Sequence, residues 1–317
     1  MSKIEIGFCD MSRDFDKNDN MFVKALKKKN IDYIISDNPR ILFYSVFGNR
    51  HNLYNNCIKV FYTGEPITPD FNECDYAIGF DKISFGNRYL RRPLWFPDES
   101  IIKPIDITDE QALNRKFCNF VYSNDKDGNA VNLRTEFARK LMKYKHIDCP
   151  GRVLNNMKSD LLARENRDWT RSKVDFISDY KFTIAFENSA YYGYTTEKML
   201  NPLSARSVPI YWGNPQVEED FNPEAFVNAN GYENDLDALV EKIIELDKDD
   251  EAYLKMIHTN PMNDSYDTNE REKFDDFIAD IVRNSHTVYP KDPLRFRKRM
   301  SFEGLSRKEK ILYFLKK

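Results

Sequence analysis

The sequence predicts an α/β protein made of two Rossmann-like blocks, on three observations. Short apolar runs bounded by turn residues alternate with amphipathic segments, the pattern of parallel strands covered by helices on both faces. The alternation stops at residues 97–113, PDESIIKPIDITDEQAL, which carry two prolines and several acids, and then starts again. A length of 317 residues fits two domains at about 150 residues each.

In the first block, residues 3–9 (KIEIGFC) alternate and read as a strand, and 21–29 (MFVKALKKK) as an amphipathic helix. Runs at 32–36 (DYIIS), 41–47 (ILFYSVF), 58–63 (IKVFYT) and 74–80 (CDYAIGF) read as buried strands. Residues 97–113 read as a linker. In the second block, 117–123 (FCNFVYS) is a strand, 132–144 (NLRTEFARKLMKY) a helix and 146–149 a strand. A helical stretch near 172–179 precedes the strand 181–187 (KFTIAFE), and another helix starts near Thr195. Strands at 207–212 and 225–228 follow, then helices at about 235–246, 249–258 and 267–284. The domains expected are 1–105 and 106–290, with parallel sheets facing across a cleft, and a basic amphipathic tail at 291–317.

Composition narrows the function. Hydrophobic residues at 41% and charged residues at 31% argue for a folded core. A net charge of −3 argues against binding a nucleic-acid backbone. No apolar stretch approaches the roughly 20 residues that span a bilayer. Lys3, Asp10, Arg13 and Asp14 leave no room for a secretory signal, so a soluble, cytoplasmic protein is expected. Residues 292–317 hold nine Lys or Arg against three acids. That tail is either a helix docked on the body or a basic amphipathic helix on an anionic membrane.

Several chemistries are excluded or disfavoured. The five cysteines, Cys9, Cys57, Cys74, Cys118 and Cys149, include no CxxC pair, which favours buried free thiols in a reducing compartment. His51, His146, His258 and His286 have no ligand spacing. The eleven glycines are never closer than seven positions apart, so neither GxGxxG nor GxxxxGK[ST] occurs. A diphosphate would have to be held by cationic side chains and a helix N-terminus. DxD strings at 14–16, 125–127, 235–237 and 247–249 are no more than chance gives in a chain so rich in aspartate. They read as surface and turns.

The segment 180–228 holds the remaining chemistry. A buried strand ends in Glu187-Asn188, where ligands sit in open α/β sheets. An aromatic loop, Tyr191-Tyr192-Gly193-Tyr194, leads to Thr195 and Thr196, either of which can cap a helix opening with Glu197 and Lys198. A lysine at a positive helix end is opposed by roughly 0.3–1 kcal/mol. Either an anionic ligand offsets that repulsion or Lys198 is an exposed residue in a salt bridge.

The string FENSAYYGYTTEKMLNPLSARSVPIYWG resembles the donor-binding signature of the α-1,3/α-1,4-fucosyltransferases of the bacterial and animal Lewis-antigen type. FYTGEP at 61–66, CDYAIGFD at 74–81 and DFNPEAFVN at 220–228 resemble further blocks of that family. The likeness runs from about residue 58 to 262. It implies a GT-B glycosyltransferase whose first domain binds the acceptor and whose second binds GDP-fucose, inverting the anomeric centre with no obligatory metal or other cofactor. The missing anchor resembles the bacterial branch, whose members decorate lipid-linked or lipopolysaccharide glycans. The heptad repeats of some bacterial relatives are absent.

By the same resemblance Glu65, in the turn after the strand 58–63, is the general base; read by itself it is a turn carboxylate. Lys198 and Arg152 stabilise the departing GDP, although Arg152 alone reads as a surface arginine. Glu197 holds the ribose hydroxyls. Tyr194 packs against the nucleotide or belongs to the core, Asn188 and Asn124 line the same pocket, and Glu187 is structural. The implied activity is transfer of L-fucose to the GlcNAc O3 of a lactosamine-type glycan. The alternatives are α-1,4 or mixed linkage on type 1 chains, and a non-catalytic sugar-nucleotide or glycan-binding protein.

Overall fold

The structure is a computed structural model and describes residues 3–54, 56–95, 104–125, 128–159, 169–263 and 270–284. The tail at 291–317, and with it His286, lies outside them. The chain divides into two compact units, Met1–Arg92 with Asn269–Lys317, and Pro93–Thr268.

The first unit is built on β1 (Ile4–Cys9), β2 (Tyr33–Ile35), β3 (Ile41–Tyr44), β4 (Ile58–Tyr62), β5 (Tyr76–Gly79) and β6 (Tyr89–Arg91). They form one parallel sheet in the order β2-β1-β3-β4-β5-β6. Every residue of β3 and β5 is buried, which is why those runs are continuously apolar in sequence. Helix α1 (Met21–Lys28) starts at Asn20, whose side-chain oxygen accepts the N–H groups of Phe22 and Val23 at 3.0 and 3.1 Å. Phe22 then stacks on Phe43 with ring centroids 4.4 Å apart. Strand β6 was not anticipated from the sequence.

In the second unit β7 (Lys116–Asn119), β8 (Ile147–Asp148), β9 (Tyr180–Phe186), β10 (Val208–Trp212) and β11 (Val227–Asn228) form a parallel sheet in the order β11-β10-β9-β7-β8. Its helices are α2 (Asp109–Leu113), α3 (Asn129–Leu141), α4 (Trp169–Ile177), α5 (Glu197–Ser204), α6 (Leu236–Lys248) and α7 (Asp250–His258). Each sheet is thus parallel and each unit α/β, as expected.

Two expectations are corrected. The end of the supposed linker is helix α2, because Thr108 and Gln111 form a reciprocal capping box and Asp109 and Glu110 suit the positive end. The last described helix, α8 (Glu270–Arg283), was placed with the second block but belongs to the first unit. There Phe274 lies 6.1 Å from Phe22, Asp275 pairs with Lys28 at 2.6 Å and Asp276 pairs with Lys29. Its apolar stripe fits α1, and sequence order could not reveal that.

All five cysteines are buried, and none forms a disulfide. The DxD acids of the 235–237 and 247–249 strings have structural partners, while Asp125 is exposed. Asp235 and Asp249 cap α6 and α7, Asp237 pairs with Lys140 at 2.8 Å, and Asp247 accepts from Tyr144 at 2.8 Å and pairs with Lys145. Among the described residues no helix is long and apolar enough to cross a membrane.

Candidate active site

The carboxyl ends of β7, β8 and β9 point their following loops to one edge of the second sheet, the edge at which open α/β sheets bind ligands. Tyr122, beyond β7, ties two of these loops together. Its phenol accepts the N–H of Phe186 at 2.6 Å and donates to the Phe186 carbonyl at 2.9 Å. The loop after β8 runs against the Tyr122 backbone: Val153 donates its N–H to the Tyr122 carbonyl at 3.0 Å. Gly151 makes this approach possible, because a Cβ there would overlap that carbonyl. Arg152 is thereby fixed at the edge. It is exposed, and its Nε and Nη2 donate to the Ser123 carbonyl at 3.1 and 2.8 Å.

Glu187, at the end of β9, has no exposed surface. Its carboxylate accepts the N–H of Thr196 at 2.7 Å and the Thr196 hydroxyl at 2.8 Å, and faces the Lys198 ammonium at 3.2 Å. Gly213 is required beside it, with φ +152° and a would-be Cβ only 2.5 Å from Glu187 Cγ. Thr196 is the N-cap of α5. The buried acid therefore holds both the helix start and the cation in its first turn. Burial pushes the Glu187 carboxyl up, against the pull of Lys198. Burial alone would lower the Lys198 ammonium, but Glu187 and Glu197 outweigh it and hold it well above its ordinary value. Lys198 is protonated at any physiological pH.

Glu197 is half-buried and 3.4 Å from Lys198. Burial raises its carboxyl, and Lys198 with Lys173 brings it below the ordinary value, so it is an acceptor-only carboxylate. Lys173 is itself buried, which lowers its ammonium. A small cavity between the loop after β7, β9, α4 and α5 is lined by Tyr122, Lys173, Thr183, Glu197, Lys198 and Asn201 among others.

The aromatic loop is fastened from behind. Asn214 has no exposed surface; its side-chain oxygen accepts the N–H of Gly193 at 2.8 Å and of Gln216 at 2.9 Å, and its amide donates to the Thr195 hydroxyl at 3.1 Å. Tyr211 donates to the Tyr194 carbonyl at 3.3 Å and accepts the Asn214 N–H at 3.1 Å. Tyr194 is buried, whereas Asn188 and Asn124 are exposed. Those two are linked by a residue not singled out from the sequence. Arg134 of α3 donates to the Asn188 side-chain oxygen at 3.0 Å and to the Asn124 carbonyl at 2.6 Å.

Thus Arg152, Asn188, Tyr194, Glu197, Lys198 and Asn124 converge on one edge of the second unit. Glu65 lies in the first unit, in the turn at the carboxyl end of β4. Its N–H donates to the Thr63 hydroxyl at 2.9 Å, and its carbonyl accepts the Ile67 N–H at 2.7 Å. The turn is held by backbone and Thr63, while the residue stays exposed. The missed positions carried a signal: Ala130, Arg134, Ala138 and Leu141 share one helical stripe, as do Lys173 and Ile177.

Two family models match the chain. Residues 6–97 match the alpha-(1,3)-fucosyltransferase FucT N-terminal domain, and residues 112–274 match the C-terminal part of glycosyltransferase family 10 (fucosyltransferase). The chain belongs to the family 10 fucosyltransferases. The alpha-(1,3)-fucosyltransferase of Helicobacter pylori is 32% identical over 86% of this chain and 66% of its own length. A 3-galactosyl-N-acetylglucosaminide 4-alpha-L-fucosyltransferase of Bos taurus is 29% identical over 48% of this chain and 38% of its own. The chain therefore spans less than two thirds of these curated relatives. A crystal structure of an alpha1,3-fucosyltransferase with GDP-fucose superposes with a TM-score of 0.71 at 28% identity, over 92% of this family 10 chain and 93% of that one. The two parallel α/β units are those of the GT-B architecture.

Proposed function

We propose that this family 10 member is an inverting glycosyltransferase that moves L-fucose from GDP-β-L-fucose to the GlcNAc O3 of a lactosamine-type (type 2) glycan. The observation that carries the reading is the Lys198 ammonium, held by buried Glu187 in the first turn of α5 beside Glu197. That arrangement offers charge to a diphosphate and a carboxylate to vicinal hydroxyls. The likeness to an alpha1,3-fucosyltransferase crystallised with GDP-fucose supports the choice of donor.

In the reaction Glu65 takes the proton of the acceptor hydroxyl as its oxygen bonds to fucose C1. The C1–O bond to the β-phosphate breaks, and GDP leaves with the electron pair. Lys198 and Arg152 stabilise the charge that develops on the phosphate oxygens. Glu197 accepts from the ribose hydroxyls, while Asn188, Asn124 and Tyr194 complete the donor pocket. No step needs a metal ion. A second reading, α-1,4 linkage on type 1 chains, is favoured by the likeness to the bovine 4-alpha-L-fucosyltransferase.

The test is incubation with GDP-fucose and a panel of type 1 and type 2 acceptors, with product linkage read by NMR. An α-1,3-fucosylated type 2 product is expected. Exclusive α-1,4 product would establish the second reading, and no transfer to any acceptor would overturn both.

A further inference from the structure

We infer that Arg134 is a positioning residue of the donor site: it locks the side-chain amide of Asn188 so that N–H donors, and not the amide oxygen, face the diphosphate-sugar. The inference rests on the donor-site reading above.

Arg134 sits inside α3 and has no exposed surface. Burying a guanidinium is costly unless its donors are used. Its Nη1 donates to Asn188 Oδ1 at 3.0 Å and its Nη2 to the Asn124 carbonyl at 2.6 Å, while the guanidinium lies 4.2 Å from the centroid of the Tyr122 ring. Both hydrogen-bond partners are acceptors in loops at the ligand edge. No Asp or Glu pairs with it among the described residues. Its charge is thus compensated only by dipoles and an aromatic face.

A guanidinium is donor-only. It accepts one orientation of a neighbouring amide, with the oxygen inward. The Nδ2 group of Asn188 is then directed away from Arg134, and Asn188 is exposed. Without the arginine, an exposed amide has two orientations of equal shape, one of which turns an acceptor oxygen toward an anionic ligand.

The experiment measures Kd for GDP by calorimetry and KM for GDP-fucose in Asn188→Ala, Asn188→Asp, Arg134→Lys and the double variant Arg134→Lys with Asn188→Ala. Asn188→Ala should weaken GDP binding by about 10–100-fold, one hydrogen bond to a charged partner. Arg134→Lys should weaken it comparably and raise KM more than it lowers kcat, since the effect is on donor binding. The double variant should be no weaker than Asn188→Ala to within about twofold, because Arg134 acts through that amide. Asn188→Asp keeps the contact with Arg134 but offers only acceptors, so it should bind GDP more weakly than Asn188→Ala.

Additive losses in the double variant, or wild-type GDP affinity in Asn188→Asp, would overturn the inference while leaving the donor site in place. Wild-type affinity in Asn188→Ala would remove Asn188 from the donor site and the inference with it. The comparison of Asn188→Asp with Asn188→Ala leaves Arg134 untouched, so it decides the question even if Arg134→Lys does not fold.

Discussion

The Lys198 ammonium stands 3.2 Å from the carboxylate of Glu187, a group with no exposed surface at the end of β9. Glu187 also anchors Thr196, the cap of α5. One buried acid thus fixes the direction of a helix and the position of its cation. A lysine at a positive helix end, unfavourable on the dipole argument alone, is tolerated because the acid beneath offsets it.

Removing the cation should leave Glu187 buried and unpaired. Lys198→Met should lower stability by about 3–5 kcal/mol near neutral pH. The sign of the pH dependence follows from the Glu187 carboxyl, pushed above its ordinary 4.5 by burial and further without Lys198. A carboxyl raised in the folded state contributes stability below its unfolded pKa and loses it as pH rises through the folded one. The melting-temperature gap between variant and wild type should therefore be small near pH 4.5 and widen toward pH 8. A gap that narrows over that range would refute the pairing.

Glu65 should be separable from donor binding. It lies in a turn held by Thr63 and backbone, with its side chain exposed, so Glu65→Gln should fold normally. It should bind GDP like the wild type and slow transfer by about 10²–10⁴-fold, the usual contribution of a general base. Steady-state kinetics beside calorimetry checks this. Near-full activity would take Glu65 out of the base role.

Leaving-group stabilisation by side chains makes a testable statement about metals. Activity should persist in excess EDTA. Complete loss on chelation, restored by a divalent cation, would require a metal-assisted route in place of the one proposed.

Gly151 should not tolerate a side chain. A Cβ there meets the Tyr122 carbonyl, a backbone atom that cannot move without displacing the loop after β7. Gly151→Ala should cost about 1–3 kcal/mol through overpacking and should weaken GDP binding, because Arg152 is the next residue. Thermal melts with and without GDP measure both effects.

Local signals carried much of the fold into the sequence. The apolar runs of β3 and β5 are continuous because parallel strands are buried on both faces, β9 is buried along its whole length although Lys181 and Thr183 interrupt its apolar run, and α5 begins at a threonine as read. The three residues of β6 (Tyr89–Arg91) were too short to stand out. The allegiance of α8 to α1 is a long-range packing choice, invisible to local pattern. The residues that lie at the carboxyl edge of the second sheet were singled out by motif resemblance. Arg134 showed only as one position of an otherwise apolar helical stripe, where a charged residue reads as a solvated one, and Asn214 showed nothing, since an asparagine after a strand reads as a turn. Their partners lie 54 and 21 positions away in the chain.

In the proposed reaction Lys198 and Arg152 grip the diphosphate at the carboxyl edge of the second sheet. Calorimetric titration of GDP and of guanosine into the wild type and Lys198→Ala tests it most directly. The wild type should prefer GDP, and Lys198→Ala should lose about 10–100-fold of GDP affinity, the worth of a charge-assisted hydrogen bond, while guanosine binding is unchanged. Equal affinity of the wild type for GDP and guanosine, or undiminished GDP binding by Lys198→Ala, would contradict it.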